Sequence, residues 1–182
     1  MSSNFATRYR ATTRFLHWVV GLMVIATIPI GVVMQQQGLA RPTQDLLFIL
    51  HKNGGVIILI LVALRIGWRL ATPAPALPPT IPAWQAKAAK TVQALLYGLL
   101  IVMAVSGYIR VRAGGFPIEM LDAFGIPAMV PRSDSLAETA QSIHSTARFP
   151  LAALILLHVA AGLKHLFARD GVFSNIWPPL GR

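Results

Sequence analysis

The stretch that decides the fold is residues 144–165, HSTARFPLAALILLHVAAGLKH. Three histidines, His144, His158 and His165, interrupt a run that is otherwise mostly apolar. In an α-helix the 14 residues from His144 to His158 make about 3.9 turns and rise roughly 21 Å, so both rings lie on one face at two depths. Ionisable side chains are rare within membrane spans and are usually functional there. The stretch therefore predicts a membrane helix that presents imidazoles at two levels.

The overall composition places the chain in a membrane. Apolar residues make up 55% of its 182 residues and charged residues only 12%, whereas soluble proteins average about 25% charged. Four apolar runs are long enough to cross a bilayer as helices. We therefore predict an all-α fold, an integral membrane four-helix bundle that forms a single domain over residues 1–182. The helices are predicted approximately at residues 13–34, 43–71, 84–111 and 136–168.

The distribution of charge predicts the orientation. The net charge of +10 is explained by the positive-inside rule rather than by a nucleic-acid surface, so no nucleic-acid partner is expected. One face carries ten cations and a single acid, Asp170, whereas the other carries six cations and five acids. The first face is therefore predicted to be cytoplasmic, with both termini on it. Its cations are Arg8, Arg10, Arg14, Arg65, Arg69, Lys87, Lys90, Lys164, Arg169 and Arg182.

Local signals place the ends of two helices. Thr12 or Thr13 is a candidate N-cap for the first helix. The residues SLAE at Ser135–Glu138 fit a capping box for the fourth helix. The segment Ala113–Asp134, which is rich in glycine and proline, is predicted to be the longest outer loop.

The histidines sort into two pairs by depth. His51 lies about two turns from the outer end of the second helix, at the depth of His144 in the fourth; these two form the outer pair. His17 lies near the cytoplasmic end of the first helix, at the depth of His158; these two form the inner pair. Facing imidazoles at one level of a helical bundle are typical of a b-type haem with two axial histidines. The pattern therefore predicts two b haems between the helices, which together form an electron path across the membrane.

Cations near each pair are candidates to bind the haem propionates. Lys52 and Arg148 are placed for the outer haem, and the inner haem has three candidates. These are Arg14, Arg65 and Arg69. Small residues beside the ligands, such as Gly21, Gly54 and Gly55, would let a flat ring approach the helices.

Other uses of these histidines remain open. His165, beside Lys164, is either a solvated interfacial residue or part of a quinone site. The three histidines of the fourth helix could also form a proton relay. Zinc is disfavoured because its ligands cluster at one level, and the chain has no cysteine for thiolate sites or c-type haem.

Five motifs together resemble the bacterial cytochrome b561 family across all four helices. They are RFLHW at 14–18, LHKNGGVIILILVALRIGWRL at 50–70, SGYI at 106–109, IHSTARF at 143–149 and LLHVAAGLKHLFARDGVF at 156–173. The resemblance implies a bacterial inner-membrane protein with two bis-histidine b haems, whose ligands would be His17, His51, His144 and His158. It also implies that His165 lies near a proposed ubiquinone site. The chain departs from the family pattern in residues 113–134 and in the linker after Pro73.

The expected function is electron transfer between a periplasmic one-electron donor and membrane ubiquinone. The resemblance favours superoxide as the donor, which would make the protein a superoxide oxidase, and the outer cations Arg110, Arg112 and Arg132 could attract this small anion. One alternative is a membrane-anchor electron-transfer subunit of a dehydrogenase or hydrogenase. Another is a haem-free, proton-coupled transporter. The lipid bilayer is an expected partner, and a homodimer is plausible.

Overall fold

Five α-helices and one 3-10 turn make up the computed structural model, which describes residues 8–179. No β-strand occurs within that range. The α-helices are α1 (Ala11–Val33), α2 (Arg41–Ala71), α3 (Ala83–Ala113), α4 (Glu119–Ala123) and α5 (Asp134–Ala168), and the 3-10 turn is Phe173–Asn175. The helices α1, α2, α3 and α5 are long and apolar enough to cross a membrane. The predicted all-α, four-helix membrane fold is therefore confirmed, while Arg182, counted above among the cytoplasmic cations, lies outside the described residues.

Two helices, α1 and α5, are not capped by the residues that the sequence indicated. Helix α1 begins at Ala11 without a side-chain cap, and Thr13 instead accepts a hydrogen bond from Trp68 Nε1 at 3.0 Å. The threonine-cap prediction is wrong because this hydroxyl joins α1 to α2. Helix α5 is capped by Ser133, whose Oγ accepts from Leu136 N at 3.3 Å, so the capping box at Ser135 is also wrong.

The start of α5 is set by its contact with α3. Ser133 N donates to Ala113 O at 2.9 Å, which ties the last residue of the loop to the end of α3. The helix can then begin at Asp134, two residues earlier than the apolar pattern indicated. The predicted loop itself contains the short helix α4.

The four long helices pack as a chain of neighbours. Helix α1 packs on α2, α2 on α3 and α3 on α5. Among the described residues, α5 nowhere brings its Cα atoms within 8 Å of α1 or α2. The bundle is therefore wide between α5 on one side and α1 with α2 on the other, and the imidazoles of α5 lie across that space from those of α1 and α2.

A small apolar cluster joins α1 and α2 midway along the bundle. Its buried members are Val20, Val24, Ile58 and Val62. Large apolar side chains elsewhere on all four long helices are exposed. In water this would be unfavourable, but in a bilayer these side chains face lipid, while the helices satisfy their own backbone hydrogen bonds.

Candidate functional site

The structure brings together both histidine pairs that the sequence predicted. The ring centres of His51 and His144 lie 6.2 Å apart with the planes at 80°, and those of His17 and His158 lie 6.0 Å apart at 74°. A metal–imidazole bond is about 2.0 Å long, so two rings on opposite sides of one metal ion have centres roughly 6.3 Å apart. Both separations therefore fit axial ligation of a single iron by each pair.

The outer pair is held by backbone carbonyl groups. His51 Nδ1 lies 3.2 Å from Thr27 O on α1, and His144 Nδ1 lies 2.9 Å from Met103 O on α3. A carbonyl oxygen can only accept, so each Nδ1 carries the proton and donates it. Nε2 of each neutral ring then keeps its lone pair, which is the form that metal ligation requires.

The inner pair is held differently. His17 Nδ1 lies 2.8 Å from Nη2 of Arg65. A guanidinium group only donates, so this Nδ1 accepts and the neutral His17 ring carries its proton on Nε2. Ligation of iron through Nε2 therefore requires Arg65 to leave Nδ1, after which Arg65 would be available for a propionate. The ring separation of the inner pair fits iron, but its hydrogen bonding does not yet favour the ligating form.

All three inner cations predicted for propionates lie near the same end of the bundle. Arg65 also stacks over the ring of Tyr97 at 5.2 Å, and Arg69 donates to Gln93 Oε1 at 3.2 Å. Arg14 is almost fully buried. The three cations thus occupy the inner end of α1 and α2, where an anionic group would be stabilised by their charge.

The two outer cations are less well placed than the sequence suggested. Lys52 Nζ lies 2.6 Å from Glu119 Oε1 and donates to Pro117 O at 2.8 Å, so its charge is already paired. Arg148 is exposed, with its guanidinium 4.7 Å from the ring centre of Phe149. Neither has the free, half-buried charge expected of a propionate partner.

Arg110 fits that role better, although the sequence indicated it only as a cation that could attract superoxide. It is half-buried, and the ion pairs between residues 8 and 179 do not include it. Arg110 follows Gly107 by three residues and Met103 by seven, so helical spacing places it on the α3 face that meets His144. This spacing along α3 was the feature of the sequence that could have identified Arg110 as a propionate partner.

Helix α4 is fastened to the outer half of α2 by three polar side chains and one backbone N–H group. Besides the Lys52 contact, Glu119 Oε2 accepts from Asn53 Nδ2 at 3.0 Å, and Met120 N donates to Asn53 Oδ1 at 2.9 Å. Partial burial favours a raised pKa for Glu119, but hydrogen bonds, chiefly the one from Lys52, outweigh it and lower the pKa. We call this group, Lys52, Asn53, Glu119 and Met120, the α4 clamp.

A second ion pair ties α4 to α3. Arg112 Nη2 lies 2.6 Å from Asp122 Oδ1, and the hydrogen bond from Arg112 holds the pKa of Asp122 below its usual range. Together with the α4 clamp, this pair neutralises two of the six outer cations. Glu119 and Asp122 are therefore each paired with a cation.

At the inner end of α5, His165 and Asp170 form a dyad. The His165 Nδ1 atom lies 2.5 Å from Asp170 Oδ2, and Asp170 Oδ1 accepts from Val172 N at 3.1 Å. Burial favours a raised pKa for Asp170, but the hydrogen bond from His165 outweighs it and lowers that pKa. The left-handed residue Arg169, at φ 51°, reverses the chain so that the carboxylate reaches back. Lys164 beside the dyad is exposed.

Asp170 was counted in the sequence only as the single cytoplasmic acid. Its isolation on an otherwise cationic face was a signal, since a lone acid five residues after a histidine can fold back onto it. The carboxylate fixes the proton of His165 on Nδ1 and leaves Nε2 to interact with a ligand. When the ring is also protonated on Nε2, that nitrogen can donate a hydrogen bond to a carbonyl oxygen and transfer the proton to it.

The fold and the paired imidazoles define an integral membrane helical bundle in which two pairs of facing imidazoles lie at two levels. The described histidines and acids contain no cluster of three or more that could hold a bare metal ion, which agrees with ligands arranged in pairs.

The chain belongs to the prokaryotic cytochrome b561 family, because the family model described as "Prokaryotic cytochrome b561" matches residues 8–179. The chain is similar to cytochrome b561 homolog 2 of Escherichia coli K12, with 26% identity over 165 residues, 91% of this chain and 88% of the relative. It is also similar to cytochrome b561 homolog 1 of the same organism, with 25% identity over 175 residues, 94% of this chain and 97% of the relative.

Membership confirms the resemblance drawn from the five motifs. The protein is a multi-pass membrane electron-transfer protein of a family that binds haem b. The alternative of a haem-free transporter is left without support.

Proposed function

We propose that this protein is a di-haem oxidoreductase that passes electrons from a one-electron donor at the outer face to ubiquinone in the membrane, with superoxide as the favoured donor. The single observation that carries the proposal is the presence of two facing histidine pairs, 6.2 and 6.0 Å apart, at two levels of one bundle. Haem, when bound, supplies reversible one-electron chemistry. An iron held by both imidazoles of a pair would have no site left for oxygen, which favours electron transfer over oxygen binding.

The chain positions the two sites on one electron path. His144 and His158 lie on the same face of α5, about 21 Å apart along the helix axis. Their partners, His51 and His17, come from α2 and α1. Electrons entering at the outer pair would therefore reach the inner pair within a single protein chain.

The charge around the outer pair supports a small anionic donor. Lys52 and Arg112 are neutralised by Glu119 and Asp122, whereas Arg148, one helical turn after His144, is exposed and makes no ion pair with the residues between 8 and 179. An unpaired cation near the entry site attracts anions and raises their local concentration. Superoxide fits this environment by charge and size.

The dyad of His165 and Asp170 supports a ubiquinone site at the inner end. Two superoxide ions each give up one electron and become dioxygen, and one quinone takes the two electrons and two protons to become quinol. When the ring of His165 is protonated, its Nε2 can donate a hydrogen bond to a quinone oxygen and deliver that proton, while Asp170 holds the ring through Nδ1. Protons would enter from the side on which the dyad lies.

The test is a haem assay combined with a turnover assay on the purified protein. We expect two b haems per chain from the haem content and the reduced-minus-oxidised spectrum. Superoxide should reduce both haems, and added ubiquinone should reoxidise them. A colourless preparation, made with ample haem supply, would contradict the proposal. Haems that superoxide does not reduce would contradict superoxide as the donor.

A second candidate function is that of a membrane-anchor subunit for a dehydrogenase or hydrogenase. The observation that favours it is a group of exposed apolar side chains on the outer loop, Phe116, Phe124 and Met129, which are 65%, 76% and 74% exposed. Such side chains could contact a partner protein at the outer face. Co-purification of a redox subunit that reduces the haems, without reduction by superoxide, would favour this candidate.

A further inference from the structure

Two glycines on helices that carry no outer ligand lie directly against the outer pair. A Cβ atom on Gly31 of α1 would lie 2.6 Å from Cε1 and 3.0 Å from Nδ1 of His51. A Cβ atom on Gly107 of α3 would lie 3.1 Å from Cε1 and 3.3 Å from Nδ1 of His144. Real Cβ contacts are rarely this short, so each imidazole occupies the space that a side chain would otherwise fill.

Each glycine is paired with the carbonyl group that its imidazole uses. Thr27 is four residues before Gly31, and Met103 is four residues before Gly107. In a helix the carbonyl of one residue accepts from the N–H four residues later, and its second lone pair points outward. A missing Cβ on the later residue leaves that lone pair accessible. The two imidazoles donate to Thr27 O at 3.2 Å and Met103 O at 2.9 Å.

We propose that Gly31 and Gly107 are positioning residues for the outer haem ligands. Each forms, with the carbonyl four residues before it, a socket on a neighbouring helix that holds one ring of the outer pair with its proton on Nδ1. The inference rests on the proposed ligation of haem by His51 and His144. All four long helices then contribute to the outer site or its ligands, since α1 and α3 hold the rings that α2 and α5 carry.

Other glycines show that this contact is specific. Gly67 of α2 and Gly98 of α3 are exposed, and a Cβ atom on either would meet nothing within 4 Å. No glycine between residues 8 and 179 makes such a contact with His17 or His158. The socket is therefore a property of the outer pair, and Gly67 and Gly98 are matched controls.

The experiment compares G31A and G107A with G67A and G98A in the purified holoprotein. We expect G31A to lose the outer haem and to hold one haem per chain, because its Cβ would displace the ring. G107A, where the approach is longer, should keep two haems but shift the electron paramagnetic resonance signal of the outer one. That signal depends on the angle between the two axial rings, 80° here. Both controls should match the wild type.

The inner haem is an internal control for folding, because its potential and signal should be unchanged in G31A. If G31A loses both haems, G107A decides: an altered outer signal supports the inference, and a wild-type signal overturns it. Wild-type haem content, potentials and signals in both variants would also overturn it. Failure of the proposed function is distinguishable: the wild type would then hold no haem, or H51A would hold as many haems as the wild type, which would contradict ligation by His51.

Discussion

The outer and inner histidine pairs have nearly the same ring separation but different surroundings. In the outer pair, both Nδ1 atoms donate to backbone carbonyls of neighbouring helices. In the inner pair, Nδ1 of His17 faces a guanidinium group. The backbone of a helix is rigid, whereas an arginine side chain has many conformations. The fold thus holds the outer pair in its ligating tautomer, whereas the tautomer of His17 in the inner pair depends on the position of the Arg65 side chain.

This difference suits the two tasks proposed for the sites. The outer site would exchange single electrons with a small donor, which needs fixed ligands and a nearby cation. The inner site would exchange electrons with a quinone whose reduction takes up protons, and it lies beside cations and the dyad of His165 and Asp170. Equal ring separations in two ligand pairs therefore do not imply equal control of their chemistry.

The largest expected effect comes from removing one ligand of each pair on the same helix. His144→Ala should lose the outer haem and His158→Ala the inner one, so each variant should hold one haem per chain instead of two. Haem content and a redox titration would show which haem remains. Ser142→Ala, on an exposed part of α5, is the control and should keep both. Loss of the same haem in both histidine variants would show that the two sites are not independent.

The next effect concerns the proton side of the inner end. Asp170→Asn should slow quinone-driven reoxidation of the haems about tenfold or more, since positioned acid–base groups contribute about 10²–10⁴-fold. Haem reduction by superoxide should be unchanged, because it occurs at the outer pair. Stopped-flow spectra with and without quinone separate the two steps, and Glu138→Gln at the outer end is the control. Equal slowing of both steps would show that Asp170 supports the fold rather than the quinone reaction.

A smaller effect should follow from removing the cation beside His17. Arg65→Gln should lower the midpoint potential of the inner haem, because a nearby positive charge stabilises the reduced form. A shift of about 60 mV corresponds to about 1.4 kcal/mol for one electron, and we expect a shift of roughly that size or somewhat less. The outer haem should keep its potential, and exposed Lys87 of α3 provides the control Lys87→Gln. An unchanged inner potential would show that Arg65 has no electrostatic contact with the inner haem.

Much of the fold could be predicted from the sequence, because a bilayer admits few solutions. A charge-poor run of about 20 residues has to be a helix in lipid. The depth and direction of His144 and His158 follow from helical spacing alone, and the structure places both opposite the expected partners. These inferences use only distances along one helix, which the chain determines locally.

The rest depended on contacts between distant segments. The carbonyl groups that hold His51 and His144 are 24 and 41 residues away in sequence, so no local pattern identifies them. Lys52 was expected to bind a propionate, but it pairs with Glu119, 67 residues away. Which helix faces rotate toward each other, and which acid reaches a given cation, is decided by packing.

The smallest expected effect concerns the α4 clamp. It tests whether the rings of the outer pair keep their positions when the attachment of α4 is weakened. Glu119→Gln removes the charge that pairs with Lys52, which for a partly exposed pair contributes about 0.2–1 kcal/mol. The pKa of Glu119 is lowered in the folded protein. The contribution is therefore complete above the ordinary value of 4.5 and is lost as the pH falls through the lowered pKa.

Hydrogen exchange of α4 should accelerate in Glu119→Gln at neutral pH, and in the wild type only at acidic pH. The outer haem should keep its electron paramagnetic resonance signal, because its ligands are held by α1 and α3 rather than by α4. A change in that signal comparable to the one expected of G107A would mean that α4 also positions the rings.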